Sequence, residues 1–399
     1  MGQLIPLDSA FLEREGLAAL TDTLGAARGE VRFVGGIVRD TLLGIDAADV
    51  DLATVHQPED VVHALKRAGI KAVPTGLAHG TITAILPSGP VEVTTLRRDV
   101  STDGRHAIVA FTDDWREDAA RRDFTMNALY ADPRTLEVID YFGGLDDLAA
   151  RCVRFIGDPL QRIAEDHLRI LRFFRFHARF GDAPDADGLA ACTARANDLM
   201  ALSRERVAAE LLKLLVAEHA VRVVDLMIAH GIFRPVLPEI AQADRLATLA
   251  RREAETGIAP DPIRRLAALL PPDAAMAEDV GARLRLSNND RRRLIAGTES
   301  VGSEPPRVLL YRLGAGLAAD RLLLSDRPID QIQSLSSLTT PMFPIKGGDL
   351  VARGLGKGPD VARMLRTVED LWIAEGFPDA ERTGQIADSA VAQWLISSR

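Results

Sequence analysis

Apolar and polar positions change their rhythm partway along the chain. Up to about residue 145 short alternating runs prevail. Residues 31–34, 50–54, 80–86, 91–96 and 136–141 read as strands, because every second side chain falls on one face. An N-terminal helix and helices over 58–68 and 114–130 complete this first part. Beyond residue 145 the apolar positions recur at helical spacing, over 159–179, 186–200, 204–217, 220–230, 242–255, 261–269, 274–285, 288–296, 305–313, 317–325 and 359–375. Turns such as Gly231-Ile232 and Pro271-Pro272 separate them. The pattern predicts an α+β protein with an α/β head and an all-helical remainder, without internal repeats.

Two strands of the head carry acids in a telling arrangement. Asp49 and Asp51, two positions apart in a strand, point to one side and can share hard cations. An Asp-x-Asp by itself is commonly a solvated strand end or turn. Here it follows Val31-Arg32-Phe33-Val34, the turn Gly35-Gly36, and a short helix from Ile37 to Leu43 that stops at Gly44. A strand, a glycine turn and a helix start form an anion site, since unpaired N–H groups and the helix dipole favour phosphate. Arg39, one turn in, adds charge-assisted hydrogen bonds. Transfer of a nucleotide to a 3′-hydroxyl is well served by two magnesium ions about 3.5–4 Å apart, held by such carboxylates. The third carboxylate selected is Glu92 in Val91-Glu92-Val93, on the second strand of a hairpin turning at Pro87-Ser88-Gly89-Pro90.

Composition narrows the field. At 399 residues and 47% apolar, the chain is globular and long enough for two or more domains. No run of eighteen apolar residues occurs, and the first thirty residues lack a basic start with an apolar run. These features predict no membrane partner and a cytoplasmic protein. Two cysteines, Cys152 and Cys192, are too few for a disulfide framework or a zinc site. A net charge of −9 and a pI near 5.5 exclude indiscriminate coating of nucleic acid, but not a local basic track. Arg151, Arg154, Arg162, Arg169, Arg172, Arg175 and Arg179 supply one.

Gly35-Gly36-Ile37-Val38-Arg39-Asp40-Thr41-Leu42-Leu43-Gly44 followed by Asp49-Val50-Asp51 resembles the first motif of the class II tRNA nucleotidyltransferase and poly(A) polymerase family. Arg121-Arg122-Asp123-Phe124-Thr125-Met126-Asn127-Ala128-Leu129 resembles the second. Gly143-Gly144-Leu145-Asp146-Asp147-Leu148, continuing to Arg162, resembles the third. Glu165-Asp166-His167-Leu168-Arg169 resembles the fourth, and Ser203-Arg204-Glu205-Arg206 with Glu210 and Lys213 the fifth.

The resemblance implies a polymerase-β-like nucleotidyltransferase head over 1–145, a helical neck over 146–217, a body over 218–330 and a tRNA-binding tail over 331–399. It implies that Gly35, Gly36 and Arg39 hold triphosphate, and that Arg122, Asp123 and neighbouring Asn127 lie around ribose and triphosphate. Asp49, Asp51 and Glu92 would hold two magnesium ions. The substrates implied are CTP, ATP and the 3′ acceptor end of tRNA. The oligomeric state is not legible.

If a nucleobase sits against the fourth motif, Asp166 and Arg169, at i and i+3 of a helix spanning 159–179, face it together. Cytosine and adenine both present an amino donor beside a ring-nitrogen acceptor. A carboxylate and a guanidinium complement that edge, whereas uracil and guanine meet the pair donor to donor. Buried mismatches of this kind discriminate by about 10⁴–10⁵. Taken alone, the pair is an ordinary intrahelical ion pair. Arg172, Arg175 and Arg179 extend it into a stripe interleaved with Phe173, Phe174 and Phe176 that suits a phosphate-bearing cleft.

Between Leu96 and Arg121 lies a polar stretch that reads as a solvated loop, and in the resembling family a flexible loop at this place accompanies the switch from C to A addition. His79 reads as structural. Arg353-Gly354-Leu355-Gly356-Lys357 lacks the context of a P-loop, and no histidine is followed by Asp. CCA addition is the favoured reading. A poly(A) polymerase or A-adding relative shares the same motifs, and a non-catalytic nucleotide- or tRNA-binding scaffold would have lost a metal carboxylate.

Overall fold

The computed structural model describes residues 3–6, 8–46, 49–77, 80–102, 107–299 and 302–397. His79 and residues 103–106 of the polar stretch lie outside the described residues.

After α1 (Leu17–Thr23), the head alternates β1 (Val31–Val34), α2 (Gly36–Leu42), β2 (Asp51–Thr54), α3 (Pro58–Arg67), β3 (Lys71–Gly76), β4 (Thr81–Leu86) and β5 (Gly89–Thr95). It continues with β6 (Arg97–Thr102), β7 (Ala107–Phe111), α4 (Trp115–Ala120), β8 (Leu129–Ala131) and β9 (Val138–Asp140). Seven strands form one sheet in the order β3-β4-β5-β2-β1-β8-β9, and β6 and β7 form a separate hairpin. Among the pairings of the large sheet only β2 with β5 is parallel. Burial of Leu52, Ala53 and Thr54 on β2 fits a central strand covered on both faces.

Helices follow: α5 (Gly144–Ala149), α6 (Pro159–Glu165), α7 (Arg169–Phe180), α8 (Ala186–Ala194), α9 (Arg204–Leu215), α10 (Ala220–Ala229), α11 (Asp244–Thr256), α12 (Pro262–Leu269), α13 (Ala274–Arg283) and α14 (Asn288–Thr298). Then come α15 (Pro306–Leu323), α16 (Ile329–Ser334), α17 (Gly347–Ala352), α18 (Pro359–Ala374) and α19 (Ala380–Ser397). The α+β expectation holds. The chain forms two compact units, Met1–Ala247 with Pro260–Pro271 and Ala275–Leu294, and Thr248–Ala259 with Pro272–Ala274 and Ile295–Arg399. In the second, Leu350, Leu355, Met364, Val368, Ile386 and Val391 share a core.

Four expectations are corrected. The helix over 114–130 ends at Ala120 and gives way to extended Phe124, which bridges to Phe155, and then to β8. Its apolar side chains are buried on every side, so periodicity cannot distinguish helix from strand there. The helix over 159–179 is two helices, because Asp166 adopts φ −150° and ψ 107°. The polar stretch is not a plain loop: Arg97–Thr102 and Ala107–Phe111 pair as two antiparallel strands. Finally, β3 and α19 were not anticipated. Lys71–Gly76 contains Pro74 and is exposed or half-buried throughout, which suits an edge strand.

The first unit's interior is aromatic around α7. Phe155 stacks on Phe173 at 5.6 Å between ring centroids, and Phe124 packs edge-on against Phe176 at 5.4 Å. Such contacts add about 0.5–1.5 kcal/mol beyond burial and fix α7 against the bridge between Phe124 and Phe155.

Candidate active site

The end of β1, the start of α2, the segment after α4, and the break between α6 and α7 enclose a cavity of about 550 Å³. Its lining joins Gly35, Gly36, Arg39, Asp51, Arg122, Asp123, Asn127, Asp166, Arg169, Arg172 and Arg175, together with Arg97, Arg121 and Phe176. Of the thirteen residues expected from sequence, only Asp49 and Glu92 are not part of this wall. Seven arginines face three aspartates there, so an acidic protein presents a strongly basic chamber.

The turn entering α2 requires glycine. Gly35 has φ 70° and ψ −120°, a region open essentially to glycine alone, and a Cβ there would approach Arg122 Nη1 and the Asn127 carbonyl at 3.5 Å. Its own N–H donates to Leu129 O at 3.0 Å, so the amides left for an anion are those of the first turn of α2, which lack intrahelical partners. Arg39 is buried rather than reaching freely for phosphate. Its Nε donates to Asp40 Oδ1 at 2.7 Å and its Nη1 to Asn127 Oδ1, and its guanidinium lies 4.5 Å from the Phe180 ring centre. Burial holds its pKa below the ordinary value despite Asp40.

The acids are gathered by strand register. Asp51 on β2 pairs with Glu92 on β5, and side chains at paired positions of neighbouring strands project from the same face. Asp51 has its carboxyl pushed up to about 6, by burial first and then by Glu92 and Asp49, against the pull of Arg122. Mutual repulsion among carboxylates of this kind is what a cation relieves. Among the described residues no three potential ligand side chains close into a cage, while the oxygen-only donor set suits a hard ion such as magnesium. Glu92 is exposed and can rotate toward its neighbours.

A second charge cluster positions the arginines, and sequence reasoning missed its centre. Asp118, 1% exposed, accepts hydrogen bonds from the Arg97 backbone N–H (3.2 Å), Arg121 Nη2 (2.6 Å), Arg122 Nη2 (3.1 Å) and the Tyr130 hydroxyl (2.7 Å). Burial pushes its pKa up, but Arg122, Arg121 and Tyr130 outweigh that and hold it well below the carboxylate range. Asp123 accepts from Arg172 Nε at 2.7 Å and Asn127 Nδ2 at 3.0 Å; burial opposes its ionisation and these partners prevail. Arg175 pairs with Glu210 of α9 at 2.6 Å. The only hint of Asp118 in sequence was its place three and four residues before two arginines.

At the break between α6 and α7, Asp166 and Arg169 do not stand one turn apart on a helix. The backbone instead turns so that both line the cavity, each with its own partner: Arg206 Nη2 lies 2.9 Å from Asp166 Oδ2, and Arg169 Nη1 lies 2.6 Å from Glu165 Oε2. The intrahelical pair between them does not form.

A mixed sheet that pairs Asp51 with Glu92 across β2 and β5, with Asp51 on the wall of an arginine-lined chamber, defines a nucleotidyltransferase of the polymerase-β-like type. Residues 31–154 match the family described as Poly A polymerase head domain, and residues 184–244 that described as Probable RNA and SrmB- binding site of polymerase A. The mouse protein named CCA tRNA nucleotidyltransferase 1, mitochondrial, is 35% identical over 388 residues, covering 91% of this chain and 87% of its own. The CCA-adding enzyme of Levilactobacillus brevis is 31% identical, covering 90% of this chain and 93% of its own. The Bacillus stearothermophilus CCA-adding enzyme, solved in complex with CTP, superimposes with a TM-score of 0.76 at 27% identity, over 95% of this chain and 98% of that one. The chain belongs to the class II CCA tRNA nucleotidyltransferase and poly(A) polymerase family. Among the described residues no helix is long and apolar enough to cross a membrane.

Proposed function

We propose that this protein adds C, C and A to the 3′ acceptor end of tRNA from CTP and ATP, without a template. The observation that carries the reading is the single basic chamber in which the acid, the glycine turn, the Arg122 and Asp123 segment and the Asp166 and Arg169 pair converge. Relatives called CCA-adding or CCA tRNA nucleotidyltransferase at 31–35% identity over about nine-tenths of the chain support CCA addition over poly(A) synthesis.

In this reading Asp51, Glu92 and Asp49 would hold two magnesium ions, which when bound favour ionisation of the attacking hydroxyl and neutralise charge on the departing pyrophosphate. Arg122, braced by Asp118, and the first-turn amides of α2 hold the triphosphate against that charge. Arg39 acts one step back, fixing Asn127 and through it Asp123. Asp123 and Asn127 meet the ribose, and Arg172 and Arg175 line its approach. Asp166 accepts from the amino group of cytosine or adenine while Arg169 donates to the ring nitrogen, so uracil and guanine leave buried groups unpaired. The division into head (1–145), neck (146–217), body (218–330) and tRNA-binding tail (331–399) belongs to the same proposal.

The test is incorporation of labelled CTP, ATP, UTP and GTP into tRNA transcripts ending before CCA, after C and after CC, with an unrelated RNA as control. Stepwise C, C and A addition that then stops is expected. Repeated A addition to either RNA would make the protein a poly(A) polymerase, addition only after CC a split-pathway A-adding enzyme, and no incorporation with magnesium a binding scaffold.

A further inference from the structure

The carboxylate proposed to read the base sits where α6 has ended and α7 has not begun, at φ −150° and ψ 107°. A residue in such a break lacks the packing of a helical turn to orient it. Two of the three bonds that orient it come from another element. From α9, Arg206 Nη2 donates to Asp166 Oδ2 at 2.9 Å and to Oδ1 at 3.1 Å, and the Leu168 N–H donates to Oδ1 at 3.1 Å.

An ionised carboxylate offers roughly four lone-pair positions. Among the described residues these three contacts leave one, on Oδ2, at a residue that lines the cavity. Arg169 is restrained in the same manner. Its Nη1 donates to Arg162 O at 3.0 Å and Glu165 Oε2 at 2.6 Å, and its Nη2 to Arg121 O at 2.8 Å. Among the described residues the Nε–H and one N–H on Nη2 remain. A single acceptor beside a short donor pair matches an amino group next to a ring nitrogen.

The weakness of such a reader is slippage. Uracil and guanine carry a ring N–H one position along the edge from their carbonyl, and a carboxylate free to slide or turn would accept from it. We propose that Arg206 is a positioning residue for base choice: it holds the Asp166 carboxylate at one edge position, so that the ring N–H of uracil or guanine finds no acceptor. The inference rests on the reading that Asp166 faces the base. Arg206 itself is absent from the cavity wall, so its effect passes through Asp166. The side chains of both are about one-third exposed, 33% and 32%, so the contact is not part of the buried core.

The experiment measures single-turnover rate and KM for each of the four nucleotides on tRNA transcripts ending before CCA and after CC, for the full-length protein and for Arg206→Gln, Arg206→Lys and Asp166→Ala. Arg206→Gln should narrow the CTP-over-UTP and ATP-over-GTP ratios of kcat/KM by about tenfold or more. Arg206→Lys, which keeps a donor but not the planar fork, should recover part of the ratio. An equal fall for all four nucleotides with unchanged ratios would overturn the inference and leave Arg206 a structural residue. If Asp166→Ala itself leaves the ratios unchanged, the base-reading role of Asp166 is what fails. Ratios narrowed in Asp166→Ala but not in Arg206→Gln reject the Arg206 role alone. Thermal unfolding of each variant separates these outcomes from misfolding, and Arg206→Lys carries the test if Arg206→Gln does not fold.

Discussion

Replacing Asp118 by asparagine changes no shape and removes one charge, yet four hydrogen-bonding groups depend on that charge. The carboxylate is 1% exposed and receives the Arg97 N–H, the guanidinium groups of Arg121 and Arg122, and the Tyr130 hydroxyl. In Asp118→Asn one oxygen becomes an NH₂ that faces donors, and two guanidinium groups with side chains only 16% and 20% exposed lose their counter-charge. Breaking a buried pair by altering one partner costs about 3–5 kcal/mol. That is a large part of the roughly 5–15 kcal/mol by which a domain is stable. Urea unfolding at pH 7 should show this loss in the first transition that reports on the head.

The pH dependence gives an independent check. Because the folded pKa of Asp118 lies below its unfolded value of about 3.9, its stabilisation is fully present above that value and disappears as pH falls through the folded pKa. The gap between wild type and Asp118→Asn should therefore stay constant from pH 7 to 5 and begin to close below pH 4. A loss under about 1 kcal/mol, or a gap independent of pH down to 2.5, would refute the view that this carboxylate organises the arginines.

Other consequences are equally measurable. Asp51→Asn and Glu92→Gln should each nearly abolish nucleotide incorporation while far-UV circular dichroism and tRNA binding persist; unchanged turnover in either would remove that residue from the metal set. Gly35→Ala, forced into a backbone region that costs about 1–3 kcal/mol, should raise KM for nucleotide, and a variant with wild-type KM would show that the turn is not part of the triphosphate site. His177, 1% exposed, has its pKa lowered to about 4 by burial first and then by Arg222 and His219. The unfolded chain takes up that proton near pH 6.5 and the folded protein only near 4. Stability should thus fall by up to about 3 kcal/mol as pH drops from 6.5 to 4, and His177→Gln should flatten that slope in urea titrations.

The parts of this protein legible in its sequence were those with a local rule. Alternation located β2, β4 and β5 to within a residue or two, and the positive φ of the turn before α2 was implicit in Gly35-Gly36. Eleven of the candidate residues share one cavity wall because the motifs carrying them sit at strand ends and helix starts. What stayed hidden depends on long-range pairing. Nothing local marks Asp118 as the partner of Tyr130 and Arg97. The break of the 159–179 helix at Asp166 is equally hard to see, since the apolar period runs on and the extended backbone is rewarded by one local bond, from the Leu168 N–H, and by the pull of Arg206 forty residues later. The hairpin of β6 and β7 was masked by polar composition, its strands pairing outside the main sheet.

The parallel alignment of β2 with β5 bears on how the head can assemble. Antiparallel neighbours can zip from a tight turn, but two parallel strands need a long crossover between them, and here α3, β3 and β4 fill it. Asp51 and Glu92 become neighbours only after that detour has closed, which places the acidic pair among the slow, non-local contacts of folding. A nascent or truncated chain lacking β5 therefore holds the glycine turn, Asp49 and Asp51, but not the third carboxylate of the proposed metal set. If Glu92 completes the metal set as proposed, competence for phosphoryl chemistry arrives with topological closure of the head, not with the emergence of the motif that announces it.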